Sequence, residues 1–156
     1  MKTRTRAALM IVASFCICSS IISAQTKPDF SGAWKMNREK SKFEAIENIR
    51  DIVNKIEHKE PNFSESITVT SIDGDQTIEG KYTTDGKEAA VEFPSGSAKA
   101  TAKWEGDALT VEWKTEGGNF RRKYTLSADG KTLTVAGRRS TPNGDRDGIQ
   151  VFEKQF

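Results

Sequence analysis

Apolar and polar residues alternate along most of this chain. Ile67 and Val69; Ile78, Gly80 and Tyr82; Ala89, Val91 and Phe93; and Ala98, Ala100, Ala102 and Trp104 recur at every second position. So do Leu109, Val111 and Trp113; Phe120, Arg122, Tyr124 and Leu126; Leu133, Val135 and Gly137; and Ile149 and Val151. A period of two puts the recurring residues on one face of a strand. Between the runs stand Asp73-Gly74, Asp85-Gly86, Gly106-Asp107, Gly117-Gly118, Asp129-Gly130 and Asn143-Gly144. Such pairs supply the positive backbone angles of tight hairpins. The pattern predicts a meander of about eight strands, and Phe30 to Met36 alternates well enough to add one in front of it.

One stretch has another period. Ile46, Ile49, Val53 and Ile56 recur at spacings of three and four, which predicts one amphipathic helix over residues 42–57. Ser41 and Glu44 have the spacing of a capping box at its start.

Strands with one apolar face must bury it, either on a second layer or by closing the sheet. Sequential hairpins do this most economically by curling into a barrel, which also removes exposed edges. The expected fold is therefore all-β: an up-and-down antiparallel β-barrel of about eight or nine strands with one helix after the first. A bent half-barrel or sandwich with the helix across its apolar face is the alternative.

The chain begins differently. Lys2, Arg4 and Arg6 precede an apolar run from Ala7 to Ile22, and Ser23, Ala24 and Gln25 follow. Residues 1–24 thus read as a cleavable secretory signal peptide, too short in its apolar core to span a bilayer, with 25–156 as one exported domain, periplasmic or extracellular. Phe15 precedes Cys16 and Ile17 precedes Cys18, so neither cysteine has the small neighbour that lipid attachment requires. Three of the 24 Lys and Arg lie in this segment, which leaves 21 cations against 22 carboxylates in the rest. Such a surface has no cationic surplus for nucleic acid. Both cysteines go with the segment too, so the domain is expected to fold without disulfides.

Catalytic chemistry finds little support. His58 is the only histidine, and it sits in a charged run, Glu57-His58-Lys59-Glu60, that reads as solvated surface. Without a cysteine in 25–156 there is no thiol nucleophile or thiolate site, and carboxylates alone fit zinc poorly. No phosphate-cradling loop or nucleophile elbow is present. No catalytic residue, metal site or cofactor is therefore expected.

Phe30, Gly32 and Trp34, in Phe-Ser-Gly-Ala-Trp, resemble the Gly-x-Trp signature that opens lipocalins and related calycins. The stretches PDFSGAWKMNREKSKF, KWEGDALTVEWKT, YTLSADGKTLTV and STPNGD with the later VFEK are similar to a group of exported bacterial lipocalin-like proteins, mostly without an assigned activity. The resemblance implies that Trp34 packs across one end of the barrel beneath a basic residue of the last strand, a part open to Lys154 or Arg146. It also implies binding of a small hydrophobic molecule. The chain departs from lipocalins in lacking a second motif mid-chain. Its expected helix after the first strand is more like the helical lid of fatty-acid-binding proteins.

Ligand-binding candidates follow from parity. Small residues at Gly80, Ala98, Ala100, Ala102 and Gly137 leave inward volume that the helix, large rings or a ligand must fill. Phe93, Trp104, Trp113 and Tyr124 are the rings in question. Arg122 shares their parity and is costly to bury unpaired. It is therefore an internal salt-bridge partner, an anchor for an acidic ligand head group or, with slipped register, an outward solvated residue. Two functions remain open: a carrier of a small hydrophobic ligand, anionic if Arg122 is its anchor, and a solid-cored protein-binding or inhibitor module acting through loops or the charged segment 38–42.

Overall fold

The computed structural model describes residues 26–93 and 96–156, with Glu92 and Phe93 described by backbone only. The expected signal peptide lies outside the described residues. Ten antiparallel strands form one sheet: β1 (Gly32–Met36), β2 (Ile49–Lys59), β3 (Asn62–Ser71), β4 (Gly74–Thr83), β5 (Asp85–Phe93), β6 (Gly96–Glu105), β7 (Ala108–Thr115), β8 (Gly118–Leu126), β9 (Thr132–Thr141) and β10 (Gly144–Gln155). The strand order is β4-β3-β2-β1-β10-β9-β8-β7-β6-β5. Sequential hairpins and the β1–β10 pairing bend the sheet around into a nearly closed barrel, open along the seam between β4 and β5.

Two expectations are corrected here. The strand count is ten rather than eight or nine, because the stretch assigned to a helix is the strand β2. Ile49, Ile52, Val53 and Ile56 are all β-branched, stiff at χ1 and better suited to a pleated surface than to a helix. Their true period is two: Ile52, Asn54 and Ile56 are buried and alternate with outer residues, and the polar Asn54 breaks the apolar reading. Only a single 3-10 turn, Ile46–Asn48, precedes β2, after Ala45 in a left-handed conformation (φ 56°) that halts any longer helix. The capping box does not form either. The Ser41 hydroxyl donates to the Asn37 carbonyl at 2.7 Å and accepts from the Val151 amide at 3.0 Å. That pins segment 37–48 along β10, where Lys42 forms a bridge with Ile149.

All hairpins from β2 onward place alternate ends at opposite poles. The base holds the β2–β3, β6–β7 and β8–β9 connections, and the mouth holds the β3–β4, β7–β8 and β9–β10 turns. Gly118, at a mouth turn, has φ +140°, and a Cβ there would lie 2.3 Å from the Ser140 carbonyl oxygen. Glycine is required by that close approach of β8 to β9.

Candidate functional site

The base of the barrel is a sealed aromatic plug. Phe30 stacks on His58 and on Trp104, each at 5.8 Å between centroids, and meets Phe63 and Tyr124 edge-on at 6.3 Å. His58 is not the solvated residue expected from its charged neighbours: its side chain is 3% exposed. Parity explains the difference, since His58 continues the inward series Ile52, Asn54, Ile56. Its Nδ1 accepts from the Phe30 amide at 3.3 Å and its Nε2 lies 3.0 Å from Glu60 Oε1. Glu60 also accepts from Trp104 Nε1 at 2.8 Å and from Thr84 Oγ1 at 2.6 Å. Burial works to raise its pKa, but the donors Thr84, His58 and Trp104 outweigh it and hold the carboxyl below its ordinary value. Glu60 thereby ties the β2–β3 turn to β6 and to the start of the open seam.

Trp34 is wholly buried at this end. Its Nε1 donates to the Phe30 carbonyl at 2.8 Å, and the Lys154 ammonium lies over its ring, 5.2 Å from the centroid. Gly32 leaves room for this: a Cβ there would stand 2.9 Å from Lys154 Cε. Arg146 lies at the opposite end, near the tip of the β9–β10 hairpin.

Above the plug sits a buried polar layer. Glu65 of β3 is 4% exposed, and the Tyr124 hydroxyl donates to it, 2.8 and 2.9 Å from its two oxygens. Asn54 Nδ2 donates to the same carboxylate at 3.0 Å, while Asn54 Oδ1 is buried without a partner. Trp113 Nε1 donates to the Tyr82 hydroxyl at 3.0 Å, and the Tyr82 ring end occupies the space a side chain on Gly80 would need. Burial and the nearby Glu65 raise the Tyr82 pKa above the usual tyrosine value, and Tyr124 is raised well above it.

Arg122 points inward into this layer, which corrects the outward option. Its Nη2 donates to Gln150 at 2.8 Å, and its guanidinium lies 6.0 Å from the Trp113 ring centroid and 5.9 Å from that of Tyr124. Desolvation would lower its pKa, but Tyr124, Glu65 and Tyr82 outweigh it and raise the value. The side chain remains only partly buried. The structure thus brings Arg122, Tyr124 and Trp113 together. It places Trp104 in the base plug instead, and the Phe93 side chain lies outside the described residues.

Toward the mouth the inward face changes character. Ile49, Val69, Ile78 and Phe120 face inward, and Phe43 lies over the space a Cβ on Gly148 would fill, yet all five remain partly accessible. Ala98 and Ala100 contribute little bulk to the opposite wall. Missed from the sequence were Glu65, Asn54 and Gln150. Glu65 was discoverable, since it shares parity with Phe63 and Ile67; Asn54 was hidden in the supposed helix, and Gln150 lay between the apolar positions Ile149 and Val151. On the outer wall a separate shallow hollow of about 540 Å³ is floored by Ala136, Gly137 and Gly148 and edged by Lys42, Arg138 and Ile149.

No sequence-family model matches the chain, and no curated protein sequence matches it. Solved structures do resemble it. A secretory abundant heat soluble protein of Ramazzottius varieornatus is 14% identical with a TM-score of 0.65, covering 83% of this chain and 98% of that one. Fatty-acid-binding protein 1 of Echinococcus granulosus is 12% identical (TM-score 0.61; 81% and 98% covered). The zebrafish ileal bile-acid-binding protein, complexed with cholic acid, is 18% identical (TM-score 0.59; 81% and 98% covered). The chain therefore shares with these proteins the fold of a nearly closed antiparallel β-barrel.

Proposed function

We propose that this protein binds a small hydrophobic molecule in the mouth half of its barrel. The observation that carries the proposal is the accessible apolar lining formed by Ile49, Val69, Ile78 and Phe120 on an otherwise inward face. A soluble domain gains about 25 cal/mol for each Å² of apolar surface it hides, so apolar side chains aimed inward and left uncovered favour an apolar occupant. Among the similar structures are fatty-acid- and bile-acid-binding proteins, which supports the same reading. Arg122, Tyr124 and Trp113 lie beneath this lining, at the level of the buried polar layer. Glu65 lies near Arg122 there, and guanidinium N–H groups beyond those engaged by Gln150 and Tyr124 are left to bond a polar atom at the buried end of a ligand. Export by the amino-terminal segment would set this carrier in a periplasmic or extracellular setting.

The test is uptake of an environment-sensitive dye, followed by displacement with long-chain fatty acids and by mass spectrometry of organic extracts. Saturable, displaceable uptake is expected, weakened in Ile78→Glu, which puts a charge on the lining. No uptake and a clean ligand-free mass would overturn the proposal. The second reading, a protein-binding module, rests on the outer hollow, where Ile149 is 48% exposed beside Lys42 and Arg138. An unaltered outer face with dye uptake intact would separate the two.

A further inference from the structure

Four arginines occur as two cross-strand neighbours on the β8–β10 wall, and the two pairs are treated differently. On the outer face Arg121 of β8 stands opposite Arg138 of β9. Like charges directly opposed across strands are destabilising unless something offsets them. Here carboxylates do: Glu105 and Glu112 lie at 2.7 and 3.5 Å from Arg121, while Asp145 and Asp147 lie at 2.5 and 3.8 Å from Arg138.

At the mouth, Arg139 of β9 stands opposite Arg146 of β10. Both share the inward parity of Val135 and Phe152, two rungs or more above the buried layer. Arg146 is ion-paired with Glu44 of the segment that precedes β2. Arg139 lies over the Phe120 ring, 5.2 Å from its centroid, and among the described residues has no carboxylate partner. One acid therefore faces two guanidinium groups. Between them and the tips of the β7–β8 and β9–β10 hairpins is a hollow of about 200 Å³, lined by Gly117, Arg139, Thr141, Pro142, Asn143 and Arg146.

We infer that Arg139 and Arg146 form an anion-binding site at the barrel mouth that takes a phosphate monoester or a group of like charge and shape. Two planar guanidinium forks present paired N–H donors in the geometry that phosphate oxygens accept. The net charge of the two layers sets the orientation of an amphiphile. At the floor Arg122 shares its buried layer with Glu65, an acidic side chain bonded by Tyr124 and Asn54, so one acidic residue stands there for one arginine; at the mouth two arginines face the single acid Glu44. The anionic head stays at the rim and the tail runs down toward Arg122 and Trp113. Glu44 holds the place of the anion on Arg146 until it arrives. This orientation rests on the apolar binding proposed above; the anion site itself does not.

The experiment follows the arginine Nε–Hε resonances of the full chain during titration with inorganic phosphate. Saturable shifts of Arg139 and Arg146, with Arg121 and Arg138 unmoved, are expected; the binding should weaken about tenfold in Arg139→Gln/Arg146→Gln and tighten severalfold in Glu44→Gln. Absence of those shifts, or equal shifts at the outer arginines, overturns the site. A second arm compares dodecyl phosphate with dodecanol. The double variant should weaken dodecyl phosphate about tenfold more than dodecanol, and dodecyl phosphate should bind far more tightly than phosphate alone if the source is an amphiphile. Equal weakening of the two amphiphiles overturns the head-out orientation. If phosphate still shifts the mouth arginines but neither amphiphile binds more tightly than phosphate, the anion site stands, free phosphate is its ligand, and the carrier reading falls.

Discussion

The base and the mouth of this barrel face inward with the same alternation and end in opposite conditions. At the base, Phe30, Trp34, Phe63, Tyr124, Leu133 and Phe152 are each no more than 1% exposed. At the mouth, Phe43, Ile49, Val69, Ile78 and Phe120 occupy equivalent inward positions and stay partly accessible. The difference is one of filling rather than of hydrophobicity. The base has residues 28–34 and several large rings to occupy the barrel's cross-section, whereas toward the mouth, among the described residues, segment 37–48 runs along β10 with Phe43 packed over Gly148. A closed plug at one pole supplies rigidity; space at the other is where binding is expected to be found.

The contrast breaks first at the plug. Phe63→Ala should cost about 3–5 kcal/mol of unfolding free energy, because surrounding rings cannot collapse into the vacated volume; urea denaturation measures it. The matching change at the mouth, Ile78→Ala, should cost no more than about 1 kcal/mol, since that side chain is already partly hydrated, while weakening dye uptake. Equal costs would erase the proposed division of the barrel.

Next comes the polar layer between the halves. Glu65→Ala removes the acceptor of Tyr124 and Asn54 and the acidic neighbour of Arg122, and should cost about 3 kcal/mol. Gly32→Ala should cost less, about 1–2 kcal/mol, because it forces a φ of +140° on a residue with a Cβ and pushes Lys154 off the Trp34 ring. A loss of tryptophan fluorescence shift at Trp34 would report the second effect. The smallest change is electrostatic. The folded state holds the Glu60 carboxyl below its ordinary 4.5, so this group stabilises the fold above that value and its contribution fades as the pH falls through the depressed folded-state value. Glu60→Gln should flatten the acid limb of a stability-against-pH curve by about 1 kcal/mol or less, its side chain being 44% exposed.

Alternation and glycine turns, read along the chain, determined most of the architecture. The strands from Ile67 onward and the inward faces of those up to Val135 were legible, because a period of two is a local property. On β10 the alternation of Ile149 and Val151 pointed to the wrong face, since Gln150 and Phe152 turn inward and Ile149 lies outside. The basic residue over Trp34 was suggested by the resemblance alone, with Lys154 rather than Arg146 taking the part. Residues 46–56 were not. Four β-branched apolar residues at helical spacing also fit a strand whose inward series includes a polar Asn54, and only the neighbouring strands β1 and β3 decided between them. Tertiary structure alone buried His58, set Glu65 within reach of Tyr124 and near Arg122, separated Trp104 from the other candidate rings, and placed Arg139 beside Arg146 over the mouth. Those are contacts across strands far apart in sequence, fixed by register and barrel closure, and no local pattern encodes how a closed sheet brings its distant rungs together.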